Sequence, residues 1–151
     1  MTSPEYRKIL VALDNSPRAP IVLASALEIA RRFGGHLVLF RGVGIPLEIP
    51  AHALSQPPAA LPQLLETSAR EELVARARDV PSDVTATVSV KLGVPWEAIC
   101  RGALEHDVDL IVIGSHGFSG IDRLLGTTAA RVVNHADRPV LVVRDKPRRT
   151  S

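Results

Sequence analysis

The sequence predicts an α/β domain: a doubly wound, five-stranded parallel sheet covered by four helices. Three observations predict it. Short runs rich in β-branched residues alternate with helical stretches along the whole chain. Those runs are apolar on nearly every residue, as strands covered on both faces are. A chain of 151 residues, 46% hydrophobic and 23% charged, suits one globular domain with its own core. A single domain over 1–151 is expected, with its core at about 6–145, an irregular proline-rich excursion at 44–60 and a flexible tail at 146–151.

The first strand is expected at Arg7–Leu13, "RKILVAL", stopped by the polar "DNSP". Ser16 is a candidate N-cap, and Pro17 suits the first helical position. The helix that follows places Ile21, Leu23, Ala24, Leu27, Ile29 and Ala30 largely on one face, and Gly34-Gly35 stops it. "HLVLFRGV", His36–Val43, is the second strand. Five of the twelve prolines crowd the next twenty residues, so a second helix is expected only from about Leu61 to Asp79. A third strand at Val84–Gly93 leads to a helix at Pro95–Asp107, and a fourth at Val108–Gly114 leads through a glycine-rich loop to a helix ending near Ala136. "RPVLVV", Arg138–Val143, is the fifth strand.

Composition removes several function classes. A net charge of +2 and 3% aromatics offer little to nucleic acid, and the basic tail "RDKPRRTS" reads as a solvated end. No apolar stretch is long enough to span a membrane, and the N-terminus lacks a signal peptide's apolar core, so a cytoplasmic location is expected. The lone Cys100 reads as a core thiol in a reducing compartment. Neither a G-x-x-x-x-G-K-[ST] loop nor a G-x-G-x-x-G turn follows a strand, and the five histidines show no zinc-ligand spacing. No metal site is therefore expected, and no catalytic constellation emerges.

Ligands of doubly wound sheets bind beyond the carboxyl ends of the strands, where the strand order reverses. In the common order 3-2-1-4-5 that point adjoins two loops, "LDNSP" after the first strand and "GSHGFSG" after the fourth. Four of the ten glycines fall between Gly114 and Gly126. Gly114 and Gly117 let a backbone approach a ligand closely. Gly126, Thr127 and Thr128 open a helix whose free N–H groups and positive dipole end favour an anion. A polyphosphate fits that combination; a plain turn followed by a Thr-capped helix fits it too. Asp14 can accept hydrogen bonds from ribose hydroxyls or serve as a turn residue. His116 can touch a phosphate or orient the turn.

"KILVALDNSP" at the start and "DLIVIGSHGFSGIDRLLGTTAARVVNHADRPVLVV" at the end, with "KLGVPWEAI" between them, resemble the universal stress protein family. The resemblance implies a Rossmann-like (adenine nucleotide alpha hydrolase-like) domain and a homodimer formed through the last strand, Pro139–Val143. It implies that Asp14 contacts ribose, that Ala12 and Ile113 flank adenine, and that the backbone of Gly42 faces its edge. Gly114, Gly117, Gly126, Thr127 and Thr128 would hold the phosphates of ATP or AMP, with Mg²⁺ or Mn²⁺ entering alongside ATP. The chain departs from the family pattern twice. Eight residues, Phe118 to Leu125, separate Gly117 from Gly126 where nine are usual, and Gly42 replaces the usual apolar side chain. A valine-sized group at 42 would be expected to add about 1–2 kcal/mol of apolar burial against a base.

No general base stands ready to activate water, so a stress-response regulatory module that binds an adenine nucleotide is expected, and not a fast enzyme. Two alternatives stay open: a nucleotide-free member working through protein contacts, and a slow ATPase or autophosphorylating switch with Thr127 or Thr128 as acceptor.

Overall fold

A computed structural model describes residues 5–44, 60–115 and 125–144. Strands β1 (Lys8–Ala12), β2 (His36–Val43), β3 (Thr85–Leu92), β4 (Leu110–Gly114) and β5 (Val140–Val143) alternate with helices α1 (Ala19–Phe33), α2 (Ala60–Ala77), α3 (Pro95–Glu105) and α4 (Thr127–His135). The strands form one sheet in the order β3-β2-β1-β4-β5, with every pairing parallel. The order reverses between β1 and β4, as expected. Most of the excursion, the tail, and His116, Gly117 and Gly120 of the glycine loop lie outside the described residues.

Alternating strand residues feed two cores. Ile9, Val11, Leu37, Leu39 and Val112 pack against Val22, Leu23 and Ala26 of α1 and Leu73 of α2. Leu10, Val38, Phe40, Ile111 and Ile113 pack against Ala98, Ile99 and Ala103 of α3 and Ala129 and Val132 of α4. Burial on both faces explains why the strands read as unbroken apolar runs. The second layer is tightened where Trp96 of α3 stacks on His135 of α4, with ring centroids 4.5 Å apart, and lies under the Arg131 guanidinium.

Local chemistry shifts several boundaries. Helix α1 begins at Ala19, not Pro17, with Arg18 as its N-cap and Pro20 in its first turn. Ser16 serves the turn that precedes it: its carbonyl accepts from Ala19 N–H at 3.2 Å and its Oγ from Arg18 N–H at 3.3 Å. The same helix closes at Gly34, whose φ of 63° is the left-handed conformation that ends helices and suits glycine. Cys100 is half-buried against the α3/α4 core; burial, aided by Asp137, pushes its thiol pKa up and keeps it protonated and unreactive. Among the described residues no helix is long and apolar enough to cross a membrane.

Candidate functional site

The carboxyl ends of the two central strands meet in register. Ala12 of β1 pairs with Ile113 of β4, and Ala12 also pairs with Phe40 of β2, two residues before Gly42. Ala12 and Ile113 belong to the α3/α4 face. Gly42 lies under the start of α3, where an added Cβ would come within 2.9 Å of the Pro95 carbonyl oxygen and 3.0 Å of Ala98 Cβ. Its missing side chain is therefore dictated by helix packing. Gly114 has a packing reason as well, since a Cβ there would lie 3.1 Å from Val22 Cγ2.

Beyond β1 the chain turns at Asp14, an exposed residue whose Oδ1 accepts from Ser16 N–H at 2.9 Å. The turn role foreseen for Asp14 is thus realised, and Asp14 lines an open cleft of about 340 Å³ on the α2 side of the sheet. Leu13, Arg41, Glu72 and Arg76 also line that cleft. The residues singled out from the sequence therefore straddle the sheet's edge, with Ala12, Gly42 and Ile113 toward α3 and α4 and Asp14 toward α2.

Beyond β4 the two ends of the glycine loop are tied together. Ser115 N–H donates to the Val143 carbonyl of β5, and the Ser115 carbonyl accepts from Gly126 N–H, both at 2.9 Å. Gly126 is the N-cap of α4, and no side chain among the described residues caps that helix, so Thr127 and Thr128 are helical residues and not caps. Helix geometry leaves the N–H groups of Thr127, Thr128 and Ala129 without intrahelical acceptors. Gly114, Gly126, Thr127 and Thr128 are thus brought to one corner. The structural place of Gly117 lies outside the described residues.

The sequence model of the universal stress protein family matches residues 5–144. The chain belongs to the universal stress protein family. Among its relatives, universal stress protein A homolog 1 of Coxiella burnetii is 31% identical over 152 residues, covering 91% of this chain and 96% of the relative. A universal stress protein of Synechocystis is 30% identical over 151 residues, covering 92% of this chain and 98% of the relative. The solved structure of UspA from Lactobacillus plantarum superposes with a TM-score of 0.76 at 28% identity, covering 94% of this chain and all of that one.

Two residues of this universal stress protein at the site were not singled out from the sequence. Ser115 is 1% exposed, and its Oγ has no hydrogen-bond partner among the described residues. A buried hydroxyl in that state calls for a polar neighbour. The available signal was strand alternation, which continues from Ile111 and Ile113 to put residue 115 on the same face. Arg41 donates from Nε to the Leu13 carbonyl at 3.0 Å and pairs with the Glu72 carboxylate. Nothing in the local sequence connects those three residues, which are far apart along the chain. Among the described residues no group of three or more His, Cys, Asp or Glu side chains could hold a metal ion.

Proposed function

We propose that this universal stress protein is a regulatory module that binds an adenine nucleotide, ATP or AMP, across the carboxyl edge of its sheet. The observation that carries the reading is the corner between β4 and α4. Helix geometry leaves the first N–H groups of α4 without intrahelical acceptors, and the buried Ser115 hydroxyl, unpartnered among the described residues, adjoins them through its own carbonyl's bond to Gly126. Such a corner stabilises an anion through N–H donors and the helix dipole. Asp14 supplies an exposed acceptor for ribose hydroxyls, and Ala12 and Ile113 supply an apolar wall for the base. Gly114, Gly126, Thr127, Thr128 and, from the family pattern, Gly117 would contact phosphate. Two proteins that share the fold were solved with such ligands, one universal stress protein with cAMP and one from Archaeoglobus fulgidus with dAMP. At 24% and 22% identity, these two likenesses carry the fold and not the ligand.

Mg²⁺ or Mn²⁺ would accompany ATP through phosphate oxygens and water. A second copy would add its edge strand to β5 through Pro139–Val143, where Leu141 is 37% exposed. A monomer in analytical ultracentrifugation at micromolar concentration would remove that part. The module would act in the cytoplasm, changing its contacts with nucleotide state.

Titration calorimetry of the full chain with ATP and AMP, with and without Mg²⁺, tests the central claim. Saturable heat and a rise in unfolding temperature with ligand are expected. No heat and no thermal shift at millimolar nucleotide would reject it.

A further inference from the structure

We propose that Arg41 is the positioning residue of the Asp14 turn, and that Glu72 places this control in α2. The proposal deepens the nucleotide reading and rests on it for its ligand. Leu13 is the last residue before the turn, and its N–H already donates to the Phe40 carbonyl at 2.9 Å. Its carbonyl accepts from Arg41 Nε at 3.0 Å. The carbonyl shares a rigid plane with the Asp14 N–H, so fixing it fixes the direction in which Asp14 leaves the strand. The Asp14 carboxylate then closes its own turn on Ser16 N–H.

The guanidinium that holds this carbonyl is itself held. Arg41 is 15% exposed at its side chain, and Glu72 of α2 pairs with its Nη1. A charged donor in such an enclosed place makes stronger hydrogen bonds than one in water. Helix α2 buries Ala69 and Leu73, one on either side of Glu72 in the sequence. Glu72 of α2 is thus linked to the turn by its ion pair with Arg41 and Arg41's hydrogen bond to Leu13. A partner that engages α2 would change how well Asp14 is presented to a ribose.

The test uses the full chain in three forms besides wild type: Arg41→Gln, Glu72→Gln, and the charge swap Arg41→Glu with Glu72→Arg. Backbone order parameters of residues 14–16 are measured by NMR without nucleotide, and ATP affinity by calorimetry. In Arg41→Gln the order parameters should fall from about 0.85 to below about 0.6. ATP affinity should drop roughly tenfold, because binding must then order a turn that is mobile in the free protein. Glu72→Gln, at a half-exposed position that tolerates the change, should weaken ATP about threefold.

The swap restores the ion pair but leaves residue 41 with no donor for the Leu13 carbonyl. It should recover only the share of the unfolding midpoint that the ion pair supplies, while the Leu13 carbonyl stays unpaired and the turn mobile. Unchanged order parameters in Arg41→Gln, or recovery of both stability and order in the swap, would overturn the proposal. If wild type binds no nucleotide, the nucleotide reading fails, and the order parameters still decide the role of Arg41.

Discussion

Gly42 lacks a side chain because α3 leaves no room for one. The atoms a Cβ would meet, the Pro95 carbonyl oxygen at 2.9 Å and Pro95 Cα at 3.1 Å, are backbone and cannot rotate aside. An extra side chain would have to push the start of α3 off the sheet. Gly42→Val should therefore lower stability by about 1–3 kcal/mol, the ordinary cost of overpacking. It should bring no gain in nucleotide affinity, although sequence reasoning assigns a valine there a place in the base's apolar bed. Urea unfolding and ATP calorimetry on the same variant check both halves; an unchanged midpoint with tighter binding would show that the space is open. The reason for Gly42's missing side chain thus lies in a helix more than fifty positions further along that packs over it.

At the scale of elements, Arg138 shows what a strand boundary conceals. The sequence places it as the first residue of the last strand, yet β5 begins at Val140. Arg138 instead lies across the end of α3, its Nη1 donating to the Ala103 carbonyl at 2.7 Å and the Val108 carbonyl at 2.9 Å. Its side chain is 14% exposed, and Asp137 holds its Nε at 2.8 Å. One cation thus serves the last turn of α3, the entry to β4 and the start of β5. Arg138→Ala should cost about 1.5–3 kcal/mol, the range for hydrogen bonds to a charged group. Thermal unfolding reads that loss, and a change below about 0.5 kcal/mol would mean that water replaces the guanidinium freely. The nine elements of the described residues were legible, because apolar periodicity and the Gly and Pro stops are local signals. The roles of Ser115, Arg41 and Arg138 were not, because each is decided by a partner carbonyl or a packing face contributed from elsewhere in the chain.

Across the whole molecule the two ends of the sheet have different tasks. Asp14, Ser115 and the start of α4 gather at the carboxyl end, while the amino end carries a polar cluster whose charge state bears on stability. His36 opens β2, with its Nε2 3.1 Å from Thr87 Oγ1 of β3. Burial, then the positive charge of Lys8, then His106, hold the His36 pKa below its ordinary 6.5. The folded protein thus favours neutral His36, whereas the unfolded chain takes up a proton more readily. Its contribution to stability is fully present above about pH 6.5 and is lost as pH falls through the lower, folded value. Glu105, drawn below its ordinary 4.5 by its hydrogen bond to Lys91, acts in a separate and more acidic window. Urea unfolding between about pH 7.5 and about pH 5 should show wild-type stability falling with acid and a shallower fall in His36→Gln. ATP affinity at neutral pH should be equal in the two proteins, since the substitution lies at the opposite end of β2 from Gly42. Equal slopes would remove His36 as the source of the acid loss. An affinity change in His36→Gln would instead show that the two ends of the sheet are coupled.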